Sequence, residues 1–383
     1  MKCSGRSAVS GEPIEIAFES AIQNVDPLLD DQGHDGYDQD VFVAPGFIDL
    51  QVNGFAGVDF NSPTAPHDEI ERAIVATFST GVTRFYPTVI TGDPAAMLAA
   101  LSNLAAARES LTDGHAMEAF HVEGPHISRE DGPRGAHPRE WVRPPDFTEF
   151  QRLQDAAQGH VRLITLAPEW PGAPRYIEQI TELGVVASIG HTRATPQQIR
   201  DAIAAGATMS THIGNGAGSA TRTEDFIACQ LAETRLAASF IADNHHLPDE
   251  FLRRALEAKG AERSILVTDA AAPALCAPGP YMLGGVAVEL RDDDRVTVRG
   301  GNRLAGSSLR MDRAIGNVMS RAGVSLAHAV TMATTNPARV GRVPGRLRGL
   351  QPGSRADLVR FRMEAGRVEI LETWLSGNRV YAR

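Results

Sequence analysis

Apolar positions along the chain follow two rhythms. Short apolar, β-branched runs recur at 43–52, 82–90, 117–123, 161–167, 185–190, 207–212, 237–242 and 264–268, lengths that suit buried strands. Between them, Ala- and Leu-rich segments of helical period fall at 67–80, 93–108, 174–183, 196–205 and 248–259. The last of these opens with Pro248, a residue at home in the first turn of a helix. Eight strand signals alternating with helices predict an α/β chain folded as a (β/α)8 TIM-type barrel. The segment 281–300, "YMLGGVAVELRDDDRVTVRG", has period two instead. It reads as an antiparallel β-hairpin, expected as an insertion near 278–303 between the eighth strand and its helix. Both chain ends, 1–42 and 346–383, are β-like, as in "ADLVRF" and "VEILETWLSGNRVYA". They are expected to build a small β-sandwich domain beside a barrel spanning 43–345.

Composition narrows the function. The 383 residues are 43% hydrophobic and 22% charged, ordinary for a globular protein large enough to bury a sizeable core. A formal net charge of −10 argues against nucleic-acid or anionic-membrane binding, which needs a basic face. No run of 18 apolar residues and no signal-like N-terminal stretch occur, so no membrane partner is expected. Cys3, Cys229 and Cys276 are odd in number and form no CxxC pair, which fits a reducing, cytoplasmic setting. Lys2 and Lys259 are the only lysines, leaving Schiff-base chemistry or a carboxylated, metal-bridging lysine almost no candidate.

In a barrel of this kind the C-terminal strand ends form the active face. Here they read "FHVEGP", "SIGHT", "STHIGN" and "VTDA", bringing Glu123, His191, His212 and Asp269 to one mouth. One glutamate and two histidines with an open fourth position make a hydrolytic metal set, because a bound cation acidifies water and polarises a carbonyl. The donors suit zinc, and also iron or cobalt. A carboxylate placed like Asp269 can take a proton from water and return it to a leaving amine.

The motifs "PGFIDLQVNG", "HVEGPHIS" with "GAHP", "LAPE", "GHTRAT", "STHIGN", "ADNHHLP", "LVTDA", "LAGSSLRM" and "NPARVGR" together resemble the N-acetylglucosamine-6-phosphate deacetylases of the amidohydrolase superfamily. The resemblance runs in order from about residue 44 to 360. It implies deacetylation of N-acetylglucosamine 6-phosphate, with Glu123, His191 and His212 as metal ligands and Asp269 as catalytic acid/base. His137 would polarise the acetyl carbonyl. Ala136, His137, Asn215, Gly216, His246 and Leu304, Ala305 and Gly306 match substrate-contacting positions. Arg222 matches a phosphate-binding arginine that reaches across a homodimer interface.

Many amidohydrolases carry His-x-His at the end of the first strand, where this chain has Gln51-Val-Asn53. Neutral amides ligate zinc-type cations poorly, so one metal ion per chain is expected. Two departures from the family lie on the phosphate side. The loop "GNGAGSATRTED" is small and polar, and Asn244 stands where glycine is common. Alternatives are therefore a related amidohydrolase acting on N-acetylgalactosamine 6-phosphate, an unphosphorylated amino sugar or an N-acyl amino acid, and, more remotely, a catalytically dead scaffold. His245 either contacts substrate or fills space.

Overall fold

A computed structural model describes residues 1–28, 40–215 and 224–383. Eight parallel strands form the central sheet: Phe47–Val52, Val82–Ile90, Phe120–Glu123, Val161–Leu166, Val186–Ile189, Met209–Ser210, Ala237–Phe240 and Ser264–Leu266. They follow one another around the barrel in chain order. The first and eighth close the ring just past their ends, where Asp269 N donates to Gln51 O at 3.0 Å and Asn53 N to Ala270 O at 2.7 Å. Beneath this seam the buried Asp49 carboxylate accepts from the Thr268 hydroxyl at 2.5 Å and from the Thr268 and Gln51 amides at 3.2 Å. Burial pushes the Asp49 carboxyl up to about 7, against those hydrogen bonds.

Helices start where local chemistry favours them. Asp93 caps Pro94–Ser110 by accepting from the Ala95 and Ala96 amides, and Thr195 with Gln198 forms a capping box on Pro196–Ala204. Helices beyond those anticipated from periodicity include Phe147–Ala156, Asp225–Ala232, Met311–Ala322 and Leu326–Ala333.

The apolar run 43–52 is two strands. Val41–Pro45 joins a separate sheet, whereas Phe47–Val52 begins the barrel. Gly46 makes the break possible: a Cβ there would sit 2.2 Å from Thr83 Cγ2, so only glycine lets the backbone pass this close. The separate sheet has seven strands drawn from both termini, in the order Asn378–Ala382, Arg367–Leu375, Leu358–Glu364, Val41–Pro45, Lys2–Ser7, Pro13–Phe18 and Ile22–Pro27. Its outer face buries Ile16, Phe18, Leu358 and Trp374 in their own cluster, and Phe361, Val368 and Ile370 belong to the main core. A buried ion cluster links sheet to barrel. Asp357 accepts from Arg84 Nε at 2.9 Å, from Arg346 Nη1 at 2.9 Å and from the Ser376 amide at 2.7 Å.

The hairpin segment adds a three-stranded antiparallel sheet, Gly279–Leu283, Val286–Leu290 and Val296–Val298. Its Leu283, Val288 and Leu290 pack with Ile90, Ala271 and Ala305, and with the half-buried Ala136, beside the C-terminal ends of the barrel strands. Among the described residues no helix is long and apolar enough to cross a membrane.

Candidate active site

Glu123 ends the third barrel strand, and His191, His212 and Asp269 lie two or three residues past the fifth, sixth and eighth. Just beyond a parallel strand the chain must turn towards its helix, and these three turn through left-handed backbone, with φ of 49°, 24° and 51°. Such a conformation costs a non-glycine residue about 1–3 kcal/mol and is found where position matters more than ease. The result is that all three side chains face Glu123.

His212 Nε2 lies 2.9 Å and His191 Nε2 3.1 Å from Glu123 Oε1. His191 Nδ1 donates to Pro133 O at 2.8 Å, so in the neutral ring the Nε2 lone pair faces the carboxylate. A lone pair set against a carboxylate oxygen is repulsive unless a proton or a metal ion lies between them. One donor atom from each of Glu123, His191 and His212 lies within 4.8 Å of the others, a group that could hold a metal ion. Burial alone would raise the Glu123 carboxyl, but bonds and charge from His191 and His212 hold it well below the usual carboxylate range. Burial disfavours charge on His212 too, yet its bond to Glu123 raises it overall.

Asp269 is buried beside this group. Desolvation, then the Glu123 charge, raises its carboxyl, opposed by His212 and by a bond from Asn53. His137 Nε2 stands 3.9 Å from Glu123 Oε2, and its ring meets the His191 ring edge-on at 4.5 Å. Burial, then the neighbouring His191, lowers the His137 imidazole to about 3, so it is a neutral hydrogen-bonding group at pH 7.

The other expected positions divide. The Gly306 Cα lies where a Cβ would come 3.1 Å from Asp269 O, and Ala305 is buried while Leu304 bridges to Thr297. Both polar atoms of the Asn215 side chain are buried without a partner among the described residues. His246 lies within electrostatic reach of Asp269, and its Nδ1 donates to Asp243 Oδ2 at 2.6 Å. His245 instead lines a cavity of about 590 Å³ with Asp293, Asp294 and Arg310. Gly216 and Arg222 fall outside the described residues. Neither lysine offers an alternative nucleophile. Lys2 pairs with Glu15, and Lys259 donates to the Glu233 and Leu236 carbonyls at 2.8 Å.

Two features escaped the sequence reading. His121, two residues before Glu123, is fully buried, and desolvation lowers it to about 4. It anchors a hydroxyl chain across the barrel: His121 Nε2 to Thr165 Oγ1 at 2.8 Å, Thr165 to Thr211 at 2.7 Å, Thr211 to Ser188 at 2.6 Å. Asp243 is the second, since it fixes the His246 ring. Both carry a signal in the sequence, polar residues at inward positions of apolar strands and an aspartate three residues before a histidine.

A closed parallel barrel with a carboxylate, two imidazoles and a second carboxylate on its C-terminal rim defines a barrel hydrolase of the metal-binding kind. A model of the amidohydrolase family matches residues 42–380, and the chain belongs to that family. It is similar to an N-acetylgalactosamine-6-phosphate deacetylase of Escherichia coli O157:H7, 34% identical over 88% of this chain and 86% of the relative. It is similar also to an N-acetylglucosamine-6-phosphate deacetylase of Vibrio furnissii, 30% identical over 89% and 83%. The solved N-acetyl-D-glucosamine-6-phosphate deacetylase of Mycobacterium smegmatis superposes with a TM-score of 0.89 at 29% identity, covering 100% of both chains.

Proposed function

We propose that this protein hydrolyses the N-acetyl amide of N-acetylglucosamine 6-phosphate, giving glucosamine 6-phosphate and acetate. The observation that carries the reading is Asp269 buried beside the Glu123–His191–His212 group on one rim, in a family whose relatives here are amino-sugar-phosphate deacetylases. Glu123, His191 and His212 hold one divalent ion, zinc first, with iron or cobalt compatible with the same donors. When bound, such an ion acidifies water and polarises the acetyl carbonyl. Asp269 takes a proton from the attacking water and delivers it to the amide nitrogen as the C–N bond breaks. Neutral His137 donates a hydrogen bond to the carbonyl oxygen as negative charge builds there. Asn215, His246, Ala136 and the Leu304–Gly306 segment line the sugar side. Gly216 contacts the substrate beside Asn215, and Arg222, supplied by the partner in a cytoplasmic homodimer, meets the phosphate, since a guanidinium grips phosphate bidentately.

The second reading is the galacto epimer, favoured by one observation: two N-acetylgalactosamine-6-phosphate deacetylases reach 34% identity, against 28% to 33% for N-acetylglucosamine-6-phosphate enzymes. The test is acetate release from both 6-phosphates and from unphosphorylated N-acetylglucosamine. Highest kcat/KM on the gluco 6-phosphate supports the proposal, and preference for the galacto 6-phosphate replaces the substrate. Equal use of the unphosphorylated sugar removes the phosphate from the assignment, and no hydrolysis of any favours a scaffold.

A further inference from the structure

The amide side chains at the end of the first barrel strand have an uneven hydrogen-bond inventory. Gln51 Nε2 donates to Glu123 Oε1 and to Asp269 Oδ1, both at 3.0 Å. Asn53 Nδ2 donates to Asp269 Oδ1 at 2.7 Å and to Asp269 O at 3.3 Å. All four amide N–H groups are thus spent on two acidic residues. The two amide oxygens, Gln51 Oε1 and Asn53 Oδ1, are buried with no partner among the described residues. Turning either amide over would set its oxygen against a carboxylate, so the donor ends are fixed by charge.

We infer that Gln51 and Asn53 are positioning residues for Asp269, pinning Oδ1 so that Oδ2 carries the proton in amide hydrolysis. Gln51, near the end of the first barrel strand, and Asn53, just past it, both reach Asp269 Oδ1. Their bonds occupy both lone pairs of Oδ1, while Oδ2 accepts no hydrogen bond among the described residues. As the water oxygen bonds to the acyl carbon, its proton passes to Oδ2. The same proton passes to the amide nitrogen as the C–N bond breaks, so Asp269 ends unprotonated and one water is consumed. The inference rests on the deacetylase reading and is tested so that the two can fail separately.

The experiment uses the metal-loaded protein with Asn53→Ala, alone and combined with Asp269→Asn. Asn53→Ala is expected to lower kcat at least tenfold, leave KM within twofold and keep the wild-type metal content. In the Asp269→Asn background its further loss is expected to fall below twofold, because the group it positions is gone. An equal fold-loss in both backgrounds, or loss of the metal, overturns the inference. Crystals of the metal-free protein give a readout independent of activity. One orientation of the Asp269 carboxylate is expected in the wild type, and a rotated or split one in Asn53→Ala. An unmoved carboxylate in the variant also overturns it. A wild type inactive on every amide tested refutes the deacetylase reading instead, and the crystal comparison still decides the positioning role.

Discussion

At the scale of single residues, the proposed function gives Asp269 and His137 different parts of one reaction. Asp269→Asn keeps the shape and the bonds to Gln51 O and Ser307 N made by the backbone. It is expected to retain metal while losing on the order of 10²-fold or more in kcat, the scale of general acid–base catalysis. Stopped-flow or steady-state acetate release with metal analysis checks this, and near-normal turnover rejects the role. His137→Gln is expected to lower kcat by a comparable factor, about 10²-fold, as the loss of one oxyanion donor does. His191→Ala or His212→Ala should remove metal and activity together, because two protein ligands hold the ion poorly. Elemental analysis is the measurement, and it also tests the expectation of one ion per chain, which two tightly bound ions would sink. Much of this candidate site was legible in the sequence, since Glu123 closes a recognisable strand and His191, His212 and Asp269 each follow one within three residues. The carboxylate-facing amides of Gln51 and Asn53 were legible only as missing metal ligands. Their donor role depends on which end of each amide faces Glu123 and Asp269, and sequence holds no orientation.

At the scale of elements, the instructive case is the pair of strands flanking Gly46. Its run of apolar residues gives one continuous strand signal, and the Pro45-Gly46 dipeptide is the turn signal that divides it. The division follows from packing: Val43 faces the terminal sheet's own cluster, and Phe47 and Ile48 face the main core. Gly46→Ala must push a methyl group into Thr83, so a loss of about 1–3 kcal/mol is expected. Urea unfolding gives the value, and an unchanged midpoint would mean the strands can shift apart freely. The helix at Phe147–Ala156 was harder to foresee because only Phe150 and Leu153 are buried on it, too few apolar positions to establish a period.

At the scale of the whole molecule, two sets of charges fasten parts distant in sequence. Asp357 joins Arg84 of the second barrel strand to Arg346 and the terminal sheet. Asp357→Ala leaves two guanidinium groups buried without it, and about 3–5 kcal/mol of stability is expected to go. The guanidinium groups outweigh burial and hold the Asp357 carboxyl well below the usual range. Its folded value is thus depressed, and its contribution is full above the unfolded carboxyl pKa of about 4 and declines as pH falls below it. Thermal melts should therefore show the gap between wild type and variant narrowing in acid, and a gap that widens there refutes the sign. A metal ion held by Glu123, His191 and His212 would supply a second fastening, drawing on three strands. Chelation is expected to lower Tm, with free metal at a thousandfold above Kd restoring about 4 kcal/mol.

The barrel seam has a temporal consequence. The Glu123–His212 contact spans 89 residues, whereas the Gln51–Asp269 contact spans 218, and contacts of greater separation carry the larger closure entropy. A chain emerging from the ribosome thus presents every candidate metal ligand before Asp269 has been synthesised. During refolding with cobalt, visible absorption from the bound ion is expected to precede the return of amide hydrolysis, and simultaneous recovery would argue that ring closure comes first. In that order a nascent chain would capture an ion while still unable to use it.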